Sequence, residues 1–407
     1  MKEIFGLDET PEIGQVPKKM HAWTIRKERF GEPIQSFQEE IVEVPSLLED
    51  EILVYNMVAG VNFNGVWAGL GEPKNVIESQ KSYGENVDFH ICGSESTGIV
   101  YAVGENVTKF KIGDPVIVVG SQYDAKSAEI QQGIDPILTS SYRIWGYESN
   151  WGAFAQYSKV KECQCVIKPD YVSWTDGAAI SATGITAHRM LTRWDNNAIQ
   201  KGDVVLIWGG CGGLGSIAIQ IVNYYGGIPV AVVSSEERAK ECMRLGAKGC
   251  INRKKYTHWG RLDGEYKSKD GEKKWLRQAL KFRSEIWKIV GERKNPKIVL
   301  EHVGEDTLPT SLFVCDKGGM VVLCGGTTGY VGSIDLRYLW LSQKRVQGCH
   351  AGTASDLEPL LQMQKENKIK PFVSKVYEYS ETAIAHQEMY ENKDAVGKVV
   401  IRIGLKE

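Results

Sequence analysis

The feature that most constrains this chain is a glycine-rich turn, Gly210-Cys211-Gly212-Gly213-Leu214-Gly215. It stands between an apolar run, DVVLIWG, and a stretch that begins SIAIQIV. Glycines at this spacing let a backbone turn tightly and approach a pyrophosphate, which the free N–H groups and dipole of the following helix then stabilise. The motif has meaning only where a strand leads in and a helix leads out. The surrounding pattern meets that demand. Short β runs alternate with helical stretches: DVVLIWG, a helix from Gly213 to Tyr225, IPVAVVSS, a helix from Glu236 to Leu245, then IVLEHV, MVVLCGG and RVQGCH. Such alternation predicts an α/β fold, a doubly wound parallel sheet of the Rossmann type with helices on both faces.

The second strand of that unit selects the nucleotide. Its tip reads Val233-Ser234-Ser235, followed by Glu236, Glu237, Arg238 and Lys240. NAD sites usually place a carboxylate at this tip to hold the ribose hydroxyls. Hydroxyls with a nearby cation suit a 2′-phosphate instead, which a carboxylate would repel. The reading is therefore NADPH, bound by Gly210, Gly212, Gly213, Leu214 and Gly215 and by Ser234, Ser235, Arg238 and Lys240. Glu236, just past the tip, is the residue that speaks for NAD.

At 407 residues the chain exceeds one compact core and suits two domains. From His21 to about Asp170 it is mostly short β runs broken by Gly, Pro and Asn, such as EILVYNMVAGVNF and GDPVIVVG, which predicts a mainly β domain. The final segment returns to strand and helix pieces that rejoin it. The expected division is 1–177 with 351–407 for the β domain and 178–350 for the cofactor domain. Residues 1–19 read as an extension lying on the surface or on a neighbouring subunit. A charged insert at about 253–296 contains KKWLRQALKFRSEIWKIVGERK. Its Trp275, Leu276, Ala279, Leu280, Phe282, Ile286, Trp287 and Ile289 fall near helical spacing, which predicts an amphipathic surface helix.

A net charge of -2 gives no global attraction to nucleic acid or an anionic membrane. No apolar run approaches bilayer length, and the N-terminus lacks the apolar core of a secretion signal. A cytoplasmic protein with no nucleic-acid or membrane partner is expected. The nine cysteines are scattered. Only Cys163 and Cys165 lie close together, and their spacing fits neither a zinc ribbon nor a redox pair, so all read as thiols in a reducing compartment.

Gly93-Ser94-Glu95, followed by STGIVYAVGENVTKFKIGDPV, resembles the signature of the medium-chain dehydrogenases/reductases, whose β domain is GroES-like. Zinc-dependent members carry a ligand His where this chain has Ser94, and a ligand Cys in the stretch that here reads Ala59-Gly60-Val61-Asn62. Neither replacement is a usual zinc donor, so no metal is expected. Without a Lewis acid, alcohol oxidation loses its means of stabilising an alkoxide. Reduction of a conjugated C=C bond needs none, since the carbonyl takes up the charge.

Further stretches resemble the crotonyl-CoA carboxylase/reductase family: VNFNGVW, RIWGYESNWGAFAQY, LIWGGCGGLGS, the charged insert and RYLWLSQKRVQGCH. The resemblance spans about residues 20 to 403. It implies a CO2-holding set at Asn64, Tyr147, Glu148 and His350, with Arg337 and Tyr338 touching the nucleotide end of CoA. It also implies an NADPH-dependent reduction of crotonyl-CoA or acryloyl-CoA whose enolate meets CO2 or a proton. Two positions depart from the family. Tyr147 stands where Phe is usual, offering a hydroxyl to a water that would protonate the enolate. Ala351-Gly352-Thr353 is smaller than the usual Phe-Ala-Asn. A non-carboxylating acryloyl-CoA reductase, a zinc-free quinone or enone reductase, and a cofactor-binding protein without turnover are the other readings. By analogy with the superfamily, a homo-oligomer, dimer or tetramer, is expected.

Overall fold

The computed structural model describes residues 2–266, 268–392 and 396–404. Residue 267 of the charged insert, residue 1 of the extension, and residues 393–395 and 405–407 lie outside the described residues. The chain forms two compact units. One comprises the residues up to Ile185, Gly352–Leu361 and the stretch from Pro371; the other comprises Thr186–Ala351 and Gln362–Lys370.

The first unit is organised by one long strand, Glu51–Gly60, buried along almost its whole length. Along one edge it pairs antiparallel with Ser96–Val103. Its other edge is shared. Glu51 to Tyr55 pair with Tyr157–Lys161, and Val58 to Gly60 pair with Lys398–Arg402. Asn56 stands at the change of partner, where its Nδ2 donates to the Ala155 carbonyl at 2.9 Å and to Ser158 Oγ at 2.7 Å. Register shifts at Leu53/Val54 and Asn56/Val58 bend the strand, as bulges do, and curl the sheet. Pro115–Val118 and Cys165–Ile167 extend it on one side, and Val373–Glu378 on the other. Inside, Leu53, Tyr55, Tyr101 and Tyr157 join Met20, Val42 and Ile91 in an apolar cluster. The N-terminal extension packs on this same unit. Phe5 is buried, and Tyr101 Oη donates to the Pro11 carbonyl at 2.8 Å.

The second unit is a six-stranded sheet with every pairing parallel. Its order is Gly249–Asn252, Ile228–Val233, Val204–Ile207, Ile298–Glu301, Met320–Leu323, Arg345–Gly348. Numbered along the chain, that is 3-2-1-4-5-6, the doubly wound Rossmann order expected from the sequence. The charged insert supplies a helix, Lys269–Val290. Ser268 caps its start by accepting from the Gly271 N–H at 3.0 Å, and Gly291 ends it in the left-handed region at φ 91°. It is less superficial than a solvated surface helix. Trp275, Ala279, Phe282 and Ile286, at helical spacing, are fully buried with Val204, Leu206, Trp208 and Val299 of the sheet. Phe282 lies parallel to the Trp208 indole, centroids 5.7 Å apart. Leu280, one step off that stripe, is exposed. The insert is thus part of the cofactor unit's core. Among the described residues, no helix is long and apolar enough to cross a membrane.

Candidate active site

The glycine turn follows the buried strand Val204–Ile207 and opens the helix Gly213–Tyr224, whose inner face buries Ile217, Ala218, Ile221 and Val222. Two of its glycines are dictated by packing. A Cβ on Gly215 would stand 2.4 Å from the Gly209 carbonyl oxygen, and one on Gly210 2.6 Å from Ala231 Cβ. Gly212 differs: only the Gly209 carbonyl lies near, at 3.4 Å, so this backbone faces open space. Helix N-terminal amides behind an unfilled glycine cradle fit a pyrophosphate.

At the end of Ile228–Val233 the structure brings three of the four expected 2′-phosphate residues together. Ser235 caps the helix Glu236–Arg244, accepting from the Arg238 N–H at 3.3 Å. Arg238 Nη1 reaches back to Ser234 Oγ at 2.8 Å. Lys240 is exposed further along the helix. The Glu236 carboxylate is also exposed and lies 3.8 Å from Lys255 Nζ.

At the next strand end, Glu301 is a residue that sequence reasoning passed over. Fully buried, it accepts from the N–H groups of Val303 and Gly304 and from the hydroxyls of Thr307 and Ser311. Ser311 Oγ also accepts from the Trp208 indole at 2.7 Å. One carboxylate thereby fixes the loop at the carboxyl end of Ile298–Glu301. The neighbouring His302 Nε2 lies 3.0 Å from the Trp208 carbonyl, beside Gly209.

His350 follows the edge strand Arg345–Gly348 and is exposed, between the buried Cys349 and an Ala351 held at φ 61°. Arg337 is half exposed, with its guanidinium held by Asp335 at 2.6 Å and by Glu272 of the insert helix at 2.8 Å. These carboxylates hold its pKa above the ordinary arginine value. Tyr338 packs edge-on to Phe313, centroids 5.0 Å apart.

In the first unit, Asn64 lies near the start of the helix Phe63–Leu70 and donates to Ser94 Oγ at 2.6 Å. Asn62, just ahead of it, bridges a buried ion pair. Its Nδ2 donates to Glu95 at 2.6 Å, and its Oδ1 accepts from Lys398 Nζ at 2.6 Å. Lys398 pairs directly with Glu95, and both are buried. Burial pulls the Lys398 pKa down while Glu95 opposes the shift. Glu95 also accepts from the Ala182 N–H at 2.6 Å, and a Cβ on Gly60 would collide with it.

Tyr147 and Glu148 sit in a tight turn whose Gly146, at φ 69°, packs against Gly93. Glu148 is buried and ion-paired with Lys74, a partner that sequence reasoning also missed. Its other oxygen accepts from the Ile144 N–H at 2.9 Å. The Tyr147 hydroxyl is 3.5 Å from the Glu72 carbonyl, a marginal bond. Asn64 thus meets Ser94, and Tyr147 and Glu148 meet the 72–74 segment just beyond the Asn64 helix.

Comparison with known proteins places these features. The Alcohol dehydrogenase GroES-like domain family matches residues 49–170, and the Zinc-binding dehydrogenase family matches residues 213–366. A crotonyl-CoA carboxylase/reductase of Cereibacter sphaeroides is 42% identical over 402 residues, spanning 99% of this chain and 92% of that protein. The chain belongs to the crotonyl-CoA carboxylase/reductase family. The structure of the crotonyl-CoA carboxylase/reductase AntE in complex with NADP matches with a TM-score of 0.93 at 46% identity, covering 100% of each chain. That of the 2-octenoyl-CoA carboxylase reductase CinF in complex with NADP and 2-octenoyl-CoA matches with a TM-score of 0.88 at 32% identity, covering 95% of this chain and 88% of that one. An acryloyl-coenzyme A reductase of Sulfurisphaera tokodaii is more distant, 26% identical over 373 residues, with 91% of this chain and 97% of that protein covered. The two-unit fold, GroES-like and Rossmann, is that of the medium-chain dehydrogenases/reductases. In this crotonyl-CoA carboxylase/reductase family member, Asn62 and Ser94 are not usual donors for the zinc of the wider superfamily. Asn62 and Ser94 are engaged by Glu95, Lys398 and Asn64, and an ammonium balances the buried carboxylate. Among the described residues, no group of three or more His, Cys, Asp or Glu is placed to hold a metal ion.

Proposed function

We propose that this chain is an NADPH-dependent enoyl-CoA reductase acting on a short-chain enoyl-CoA such as crotonyl-CoA or acryloyl-CoA, and that its enolate product is captured by CO2. The observation that carries the reading is the buried Lys398–Glu95–Asn62 network, which stands beside Asn64 where metal-dependent relatives place their ligands. A conjugated thioester suits such a site because its own carbonyl accepts the charge that a metal would otherwise stabilise. NADPH, when bound, supplies the hydride that adds to the β-carbon. Gly212 and the helix amides behind it hold the pyrophosphate, and Ser234, Ser235 and Arg238 hold the 2′-phosphate.

The remaining residues govern what the enolate meets. Asn64 offers an amide N–H to a small oxygen-bearing molecule while Ser94 fixes its orientation. Glu148, anchored by Lys74 and the Ile144 amide, stays where it orients a water or an imidazole. His350 belongs to the same set by resemblance, as does the half-exposed Arg337, which takes the CoA nucleotide while Asp335 and Glu272 hold its guanidinium. The Tyr147 hydroxyl, at a position where the family usually has Phe, favours the second reading, proton capture and simple reduction, because it gives a water a foothold beside Glu148.

The test is NADPH oxidation with crotonyl-CoA and acryloyl-CoA, with and without bicarbonate, against a small quinone as control. Turnover of the thioesters with a carboxylated product in bicarbonate supports the proposal. Saturated acyl-CoA alone supports simple reduction, and turnover of the quinone alone overturns both. We also infer a homo-oligomer built across Arg345–Gly348. This strand is the sheet's edge, with Val346 exposed on it and Leu336, Trp340 and Leu341 exposed just before it. Light scattering that reports a monomer at micromolar concentration would refute this.

A further inference from the structure

Three cysteines gather at the dinucleotide turn. Cys211 is the turn's second residue, Cys242 lies in Glu236–Arg244, and Cys250 lies in Gly249–Asn252. Their meeting point is Ala231. It pairs with Cys250 in the parallel ladder, and the Gly210 Cβ position lies 2.6 Å from Ala231 Cβ and 3.3 Å from Cys242 Sγ. Cys242 is fully buried beside Gly210 and Ala231, on the helix whose Ala239 carbonyl Cys250 also meets. Cys250 is only partly buried and also lies 3.5 Å from the Ala239 carbonyl. None of the three is in a disulfide. The hydrogen bond from Cys242 draws the Cys250 pKa below the usual thiol value, and a thiolate is the form that attacks peroxides.

We propose that Cys250 and Cys242 form a peroxide-modified thiol pair that weakens NADPH binding when oxidised. The Cys250 thiolate attacks one oxygen of a hydroperoxide. The O–O bond breaks, the leaving oxygen departs as alcohol or water after taking a proton, and Cys250 becomes a sulfenic acid. The Cys242 thiol then attacks that sulfur, a disulfide forms, and the sulfenic oxygen leaves as water. The two thiols supply two electrons, and the peroxide is reduced. Closing to bonding distance pulls Cys242 from its place beside Gly210 toward the strand Gly249–Asn252. Gly210 is packed tightly between Ala231 and Cys242, so the turn moves with them. The helix carrying Cys242 also begins at the Ser235 cap and holds Arg238, so both ends of the cofactor's phosphate site are disturbed.

The experiment treats the cofactor-free protein with hydrogen peroxide, blocks free thiols with N-ethylmaleimide, and maps the cysteines by peptide mass spectrometry. NADPH affinity is measured in parallel. The expected result is a Cys242–Cys250 linked peptide, an NADPH Kd raised about tenfold, which is an ordinary coupling between sites, and recovery with dithiothreitol. Cys250→Ser, at a partly exposed position, keeps the untreated affinity and loses both the link and the sensitivity. Cys242 recovered as a maleimide adduct after excess peroxide overturns the proposal. So does a linked protein with unchanged NADPH affinity, or a Cys250→Ser variant that remains sensitive.

Discussion

At the scale of single residues, the account rests on side chains whose charge is matched locally. Arg238 is the cation brought to Ser234, and a charge-assisted bond to phosphate contributes about 1.5–3 kcal/mol. Arg238→Ala is therefore expected to lower kcat/KM for NADPH by about 10- to 100-fold while leaving NADH turnover nearly unchanged, in steady-state assays with crotonyl-CoA. Lys398 is matched to Glu95 inside the protein. Lys398→Met leaves a buried carboxylate uncompensated, a loss of about 3–5 kcal/mol, and adding Glu95→Gln restores part of it in urea unfolding. An unchanged single variant would show that the pair adds nothing. The glycine turn, Ser94 and Asn62 were legible in the sequence because each is a local necessity: a backbone without Cβ, or a donor missing from a known spacing. Lys398, Lys74 and Glu301 were not. Their partners lie far along the chain or in backbone amides, and only the folded sheet joins Glu95 to Lys398.

Among the elements, the parallel strands and their helices were readable from periodicity, with helix ends that agree to within a residue. The insert shows what periodicity leaves out. A charged helix with an apolar stripe reads as a surface feature, yet Trp275, Phe282 and Ile286 complete the core of the cofactor unit. The sequence carries the stripe but not the depth of what it covers. His258 belongs to this aromatic cluster, close to Trp259 and Trp275, and neither of its buried ring nitrogens has a hydrogen-bond partner. An unsatisfied buried polar group costs about 1–3 kcal/mol, so His258→Phe is expected to stabilise the protein by about that amount in urea unfolding. A destabilised variant would mean that the imidazole is held by something more than its aromatic neighbours.

For the whole molecule, acid stability follows from histidines in both units. Burial pulls the pKa values of His90, His258 and His386 from 6.5 down to about 4. The unfolded chain takes up protons from about pH 6.5, whereas the folded protein keeps these rings neutral until about pH 4. Their contribution is complete above pH 6.5 and falls away between 6.5 and 4, by about 3 kcal/mol for each ring at about 1.4 kcal/mol per pH unit. Unfolding free energies measured from pH 8 to pH 4 are expected to be level at first and then to decline across that window. The central claim is chemical, and isotope labelling reaches it most directly. Crotonyl-CoA is turned over with NADPH deuterated at the transferable position, in the presence of bicarbonate, and the product is analysed by mass spectrometry. The account predicts one deuterium on the β-carbon and an added carboxyl group on the α-carbon of the same molecule. A product without deuterium at the β-carbon, a deuterated product without the carboxyl group, or no product at all, would contradict it.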